Sequence, residues 1–425
     1  MQIIHEPARR WRGVTSTVCL VALLVLAPAA RTSGAEVDAE TLLREAWTGV
    51  RRDFVDPDLK GIDWPEVLES YLPRARRLRS ALRTRELVNE MLAELGASHT
   101  ALLEERAHHT LMAELAARPS LQGGCELEWR DAGFFVRSMH EGGPAARSGL
   151  RLGDRVVLVD GERPEASGLV FDAGYDPGLP GAPIFYILPD DGSEVRLRVQ
   201  STTDPQSLRD VVLEPEKIHC VEVARRSVRV IEAEGYRLGF IHFWFLPARG
   251  LDTVLRDALR SELRGCDGLI VDLRGRGGYD HMGRSVERLL ESARSRFRGG
   301  VVALIDERTR SAKELLADRL QRHGSVTLVG THTEGAVIGA KFRKLSDGSV
   351  LMIGGYDVCT DDGRRLEGVG VEPDVEVGRA VDDYAGGRDR ILDKGIGVLI
   401  ERCRKKDPRW VWRPCVAPTP VAAAG

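Results

Sequence analysis

VVALIDERTRSAKELLADRLQRHGSVTLVGTHTEGAVIGA, residues 301–340, sets a buried strand, a helix and a second buried strand end to end. Val301–Ile305 is an unbroken apolar run, too short for a helix and bounded by the polar turn Asp306–Arg310. Ser311 opens a helix that runs to near Gly324, and Val326–Val329 follows as a second strand before the loop Gly330–Gly335. Ser311-Ala312-Lys313-Glu314 has the form of a capping box, a serine cap with glutamate three residues later. A serine at such a junction is also where a nucleophile can be held exposed, with free backbone N–H groups beside it. The two readings are compatible, and the Ala312 N–H is a candidate oxyanion donor.

The flanking sequence repeats the same alternation. Leu238–Phe243 reads as a strand, Leu251–Leu263 as a helix, and Gly268–Leu273 as an apolar strand broken only by Asp272. The glycine-rich turn Arg274-Gly275-Arg276-Gly277-Gly278 leads into a helix over His281–Ala293. Strands alternating with helices predict an α/β core with a largely parallel sheet. Downstream, Leu345–Ile353 is a hairpin turning at Ser346-Asp347-Gly348, and Thr360–Gly370 is a polar loop. Asp382–Arg404 is a last helical piece, and the Pro/Ala-rich tail from Pro414 is expected to be disordered. Upstream, Gly123–Gln200 changes to short strands at Phe134–Val136, Arg155–Val159 and Val195–Val199, with a short helix starting in Gly142–Ala146. Glu36–Ala117 reads as helical, with Leu42, Leu43, Ala46, Trp47, Val50 and Phe54 at helical spacing and Pro65 suited to a first turn. A tight corner, Leu95-Gly96-Ala97-Ser98-His99-Thr100, interrupts it.

Composition narrows the class. The chain has 425 residues, 61 basic against 64 acidic, and a net charge of −3, which gives no electrostatic footprint for nucleic acid. Arg9, Arg10 and Arg12 precede an apolar run, Val14–Ala30, and Ser33-Gly34-Ala35 offers a small-residue cleavage site, so residues 1–35 read as an export signal. A periplasmic or secreted protein is expected, with no stable membrane span after cleavage. Seven cysteines are present without zinc spacing; export would permit disulfides, and Cys403 with Cys415 is the nearest pair. No metal or other cofactor is implied.

A serine nucleophile needs a base. Ten histidines are available. His242 lies in a strand, where a core role is the simpler one. His332 sits in the loop after the second strand, and His99 in the short corner after an amphipathic helix.

Five segments, taken together and in order, resemble the tail-specific (C-terminal processing) serine peptidases, and within that clan the tricorn-core type. They are Asp63-Trp64 with Leu95–Thr100; Gly143-Pro144-Ala145 to Gly161; Ile270–Gly278, similar to D-L-R-x-N-x-G-G; Thr309–Glu314, similar to S-A-S-A-S-E; and Glu367–Asp374, similar to E-G-x-G-V-x-P-D. The resemblance implies a multidomain α/β protein. Its parts are an N-terminal helical domain over 36–118, a PDZ-like β domain over 119–202, a ClpP/crotonase-like catalytic core over 225–380, and a C-terminal helix and tail over 381–425. One branch of the family uses a Ser–Lys dyad with the lysine in T-x-G-K. Here that tetrapeptide is Thr333-Glu334-Gly335-Ala336, and Lys341 and Lys344 come later. The tricorn-type branch instead pairs an N-terminal S-H with a glutamate before G-x-G-V-x-P-D, matched by Ser98-His99 and Glu367.

Carried over on that resemblance, Ser311 is the nucleophile and His99 its base. Ser98 and Glu367 orient the imidazole, and Ala312 with Gly277 or Gly278 forms an oxyanion hole. Arg276, Tyr279, Thr309 and Lys313 depart from the family pattern. The PDZ-like part would bind polypeptide C-termini in a backbone nest at Gly123, Gly124 and Cys125. Polypeptide substrates are expected, and homo-oligomerisation stays open. The alternative is a non-catalytic binding protein of the same clan, taking a lipophilic ligand or acting as a peptide adaptor.

Overall fold

The computed structural model describes residues 38–406, apart from 132, 173–183, 190, 202–203, 205, 325, 379–382 and 384–387. The expected export signal, the tail from Pro414 and Cys415 lie outside the described residues. Five cysteines are described, and all are free thiols. No helix among the described residues is long and apolar enough to cross a membrane.

The chain begins with three helices, each started by a short polar side chain that accepts an orphan N–H. They are α1 (Ala39–Asp53) capped by Asp38, α2 (Trp64–Ala75) capped by Asp63, and α3 (Ala81–Ala93) capped by Ser80. Leu43, Val50, Trp64, Leu72, Val88 and Met91 form their common core. This region is not wholly helical. After the Gly96 corner, β1 (Ala101–Leu103) precedes α4 (Glu105–Leu115). Three residues are too few to show a strand period, and what makes them a strand is a distant partner.

Next comes a seven-stranded antiparallel sheet. Its strands are β3 (Cys125–Arg130), β4 (Gly133–Met139), β5 (Arg155–Val159), β6 (Val170–Asp172), β7 (Ile184–Ile187), β8 (Val195–Gln200) and β9 (Leu208–Leu213), in the order β6-β7-β3-β4-β5-β8-β9. Helix α5 (Pro144–Arg147) follows β4. The boundary expected at 202 cuts this sheet, because β9 pairs with β8 along its whole length. A short ladder of β2 (Ser120–Gln122) with β10 (Glu216–Ile218) joins entry to exit.

Helix α6 (Cys220–Ser227) leads into the second large sheet. It comprises β11 (Arg229–Ala233), β12 (Tyr236–His242), β13 (Gly268–Asp272), β14 (Gly300–Ile305), β15 (Val326–Gly330) and β18 (Val375–Glu376), in that order. β12 to β18 run parallel; only the β11–β12 hairpin is antiparallel. Helices α7 (Leu251–Arg260), α8 (Asp280–Ala293) and α9 (Ala312–Arg322) bury Leu255, Val286, Leu316 and Leu320 in one cluster with Leu269 and Val271. Helix α10 (Arg390–Lys405) covers a second cluster of Leu238, Ile270, Val302 and Leu304 with Ile391, Leu399 and Ile400. The last helix thus belongs to the α/β core. It starts at Arg390, where Asp389 caps it by accepting the Leu392 N–H at 3.1 Å; the expected start at Asp382 lies outside the described residues.

The hairpin β16 (Gly339–Lys344) and β17 (Val350–Tyr356) turns where the sequence predicts. β17 also pairs with β1, Ala101 opposite Met352. That ladder brings the Ser98-His99 corner to the carboxyl ends of β13, β14 and β15, where ligands bind in open α/β sheets.

Candidate active site

Ser311 stands between β14 and α9 at φ +56° and ψ −127°. Such a conformation costs a non-glycine residue about 1–3 kcal/mol and persists only where the surroundings dictate it. Here they do. The Ser311 N–H donates to the Ala336 carbonyl at 2.9 Å and to Glu314 Oε2 at 3.0 Å. Glu314 is fully buried and also accepts the N–H groups of Gly335 (2.7 Å) and Ala336 (2.8 Å) and the Thr333 hydroxyl (2.6 Å). Burial raises its pKa, and these donors oppose the rise. One carboxylate therefore fastens the 333–336 loop to the start of α9. Glu314 is visible in the sequence as half of a capping box, but its grip on that loop is not.

The glycine-rich turn lies against Ser311. A Cβ built on Gly277 would sit 2.6 Å from Ser311 Cβ and 3.2 Å from its Oγ, so only glycine fits. Gly278 is at φ +134°, and a Cβ there would meet the Leu246 carbonyl oxygen at 2.1 Å. Leu246 clamps the turn: its N–H donates to the Gly277 carbonyl at 2.9 Å and its carbonyl accepts the Tyr279 N–H at 2.8 Å. Among the described residues, no hydrogen bond uses the N–H groups of Gly277, Gly278 or Ala312. Gly278→Ala is expected to destabilise the fold by about 2–4 kcal/mol, through clash and backbone strain together. Urea unfolding would measure it, and an unchanged midpoint would contradict the clamp.

A second group comes from the Gly96 corner. His99 is at φ +53°. Its Nδ1 lies 2.9 Å from Ser98 Oγ, and that hydroxyl donates to Glu367 Oε2 at 2.8 Å. Glu367 also accepts the N–H groups of Ser98 (2.8 Å), Val337 (2.7 Å) and Ile338 (3.1 Å). Ala336, whose carbonyl takes the Ser311 N–H, directly precedes Val337. The two groups are thus joined through three consecutive residues, Ala336 to Ile338.

Ala336 occupies the place of the T-x-G-K lysine, beside the serine backbone. Lys341 Nζ donates to the Asp53 carbonyl and Lys344 pairs with Glu105, so both are held by the N-terminal helices. His332 turns its Nδ1 to the Thr333 carbonyl at 2.8 Å.

Buried charges brace the site. Burial pushes the Asp272 carboxyl upward, but the Arg274 guanidinium outweighs this and leaves its pKa at about 2. Arg274 also reaches Asp389 at the start of α10 at 2.7 Å. Arg276 pairs with Glu114 of α4 at 2.6 Å, and Arg137 of β4 reaches Asp306 (3.1 Å) and Glu307 (2.7 Å) before the serine. These pairs tie the seven-stranded sheet and α4 to the loops around Ser311. Gly123, Gly124 and Cys125 line a separate pocket with His140 and Tyr186. His140 Nδ1 and the Tyr186 hydroxyl are sealed there without a hydrogen-bond partner among the described residues.

Comparison with known proteins finds two family matches. Residues 280–377 match Peptidase family S41, and residues 36–93 match the tricorn protease C1 domain. The S41 match spans Ser311 and Glu367. The chain is 30% identical over 382 residues to tricorn protease homolog 1 of Streptomyces coelicolor, covering 83% of this chain and 34% of that protein. It is 24% identical over 401 residues to a carboxyl-terminal-processing protease of Picosynechococcus sp., covering 89% of this chain and 92% of that one. A solved photosystem II D1 C-terminal processing protease shares the fold, with a TM-score of 0.50 at 23% identity over 80% of this chain and 94% of that one. The chain spans about a third of the length of the two Streptomyces coelicolor tricorn homologues it matches. Tricorn-like and carboxyl-terminal-processing proteases are thus among the relatives it resembles.

Proposed function

We propose that the chain is an exported serine endopeptidase acting on polypeptides, with Ser311 as nucleophile and His99 as general base. The observation that carries this is the Glu367 carboxylate, which holds Ser98-His99 and the 336–338 backbone at once. Its chemistry selects a tautomer. Glu367 accepts three N–H groups, as a carboxylate would, so the single Ser98 O–H proton points at it. Ser98 Oγ then accepts a hydrogen bond from His99 Nδ1–H, and Nε2 is left unprotonated. A neutral imidazole with a bare Nε2 can take the Ser311 proton during attack on a carbonyl carbon and return it to the leaving amine. The oxyanion formed is stabilised by the N–H groups of Ala312 and of Gly277 or Gly278.

Residues 1–35 then serve as the export signal, and residues 36–118 carry the base. A PDZ-like domain begins near 119 and includes β9; the catalytic core extends from about 225 and is closed by α10. The PDZ-like sheet offers Gly123, Gly124 and Cys125 to a substrate C-terminus, by strand addition.

Glu367→Gln tests the proton path. Val337 and Ile338 hold the amide oxygen where Ser98 Oγ donates, so the NH₂ falls against the Ser98 N–H and the negative charge that stabilises the imidazolium is lost. Peptide hydrolysis is expected to lose about 10²–10⁴-fold in kcat with little change in KM. Wild-type kcat in a folded Glu367→Gln protein would remove Glu367 from the mechanism. Failure of a fluorophosphonate to label the wild-type protein at Ser311 would favour a non-catalytic binding protein.

A further inference from the structure

Lys313 is the second residue of α9, and its side chain is wholly buried, 0% exposed. A buried ammonium is costly unless its donors are satisfied and its charge is met. Here Nζ donates to the Arg274 carbonyl at 3.0 Å and to the Trp244 carbonyl at 3.1 Å. Asp272 and Asp306 supply the opposing charge, with Glu126 acting in the same sense and Arg276 against it. Burial still pushes its pKa down to about 7.

The two carbonyls belong to the two segments that form the glycine-rich turn. Trp244 lies two residues before Leu246, which clamps Gly277 and Tyr279 from one side. Arg274 directly precedes Gly275, whose φ of +96° begins the turn. The Leu246 bridge thus fixes the far end of the turn, and Lys313 fixes the near end to the helix that starts at Ser311.

We infer that Lys313 is a positioning residue for oxyanion stabilisation, anchoring the Trp244 and Arg274 carbonyls to α9 so that the N–H groups of Gly277 and Gly278 keep their place beside Ser311. The inference rests on Ser311 being the nucleophile. Without this anchor the peptide planes from Arg274 to Gly278 can rotate, and a donor misplaced from the oxyanion typically loses about 10²-fold in rate.

The test uses the full chain with Lys313→Met and Lys313→Gln. Methionine fills the space without donating; glutamine retains an NH₂ that can reach a carbonyl. For Lys313→Met, kcat on a fluorogenic peptide is expected to fall about 10²-fold with KM within about twofold. Inhibition by a peptidyl trifluoromethyl ketone, which binds as an oxyanion-bearing hemiketal, should weaken by a similar factor. Binding of the uncleaved peptide, measured in a Ser311→Ala background with and without Lys313→Met, should not change. Lys313→Gln should recover part of kcat, and it carries the comparison if Lys313→Met does not fold. Wild-type kcat and ketone inhibition in a folded variant would overturn the inference. So would equal losses in peptide binding, kcat and thermal midpoint, which mark a merely structural lysine. Failure of the underlying peptidase reading is distinguishable, since it appears in the wild-type protein as absent hydrolysis and no labelling of Ser311.

Discussion

Ser311→Ala is expected to lower peptide hydrolysis by about 10⁴-fold or more and to abolish fluorophosphonate labelling, while the protein stays folded. The separation of activity from stability follows from how the residue is held. Its two anchoring hydrogen bonds, to Ala336 and Glu314, are made by the backbone N–H and survive the change. The lost Oγ lies over Gly277, where its removal leaves a small space and no broken backbone bond. The backbone at φ +56° is as strained for alanine as for serine. Glycine is different, because it adopts positive φ freely. Ser311→Gly should therefore be equally inactive yet more stable than Ser311→Ala by roughly 1 kcal/mol. Thermal melts of the two variants measure this. Residual hydrolysis near the wild-type rate in either would sink the assignment of the nucleophile.

His99→Ala is the second large effect. Loss of the proposed general base should cost about 10³–10⁴-fold in kcat, leaving the catalysis that binding and oxyanion donors supply without it. Ser98 and Glu367 keep their mutual hydrogen bonds in this variant, since none of the Glu367 contacts passes through the imidazole. The fold should therefore hold, apart from the cost of alanine at φ +53°. Fluorophosphonate labelling should slow in parallel with hydrolysis. Near-normal turnover would move the base elsewhere, and His332→Ala would then be the next measurement. His332 starts from a poorer position, with Nδ1 turned to the Thr333 carbonyl and its ring against Gly370.

The strand–turn–helix around Ser311 was legible because every period in it is local: an apolar run, a polar turn, a helix, another apolar run. β1 was not, since three residues carry no period and only Val350–Met352 opposite them make the strand. β9 lay past the expected boundary because its inward residues, Val211 and Leu213, alternate with exposed Leu208 and Val212. Ser98, His99 and Glu367 could be named by resemblance to family motifs. The Val337 and Ile338 donors that fix Glu367 could not, because backbone N–H groups leave no trace in side-chain pattern. Lys313 was hidden for another reason. Every residue of α9 from Ala312 to Leu320 is buried, so hydrophobic periodicity cannot tell which faces of the helix meet the sheet and which meet the turn.

The ladder between β1 and β17 also sets an order of events in the life of the chain. Synthesis delivers Ser98-His99 early, Ser311 much later, and Glu367 later still. The strand that docks the histidine corner, Val350–Tyr356, emerges only after the serine. Contacts this distant in sequence form late in folding, after local structure has closed. A nascent chain therefore holds Ser311 before the His99 corner is docked by Val350–Met352. The proposed site is therefore assembled only when nearly the whole core has been made.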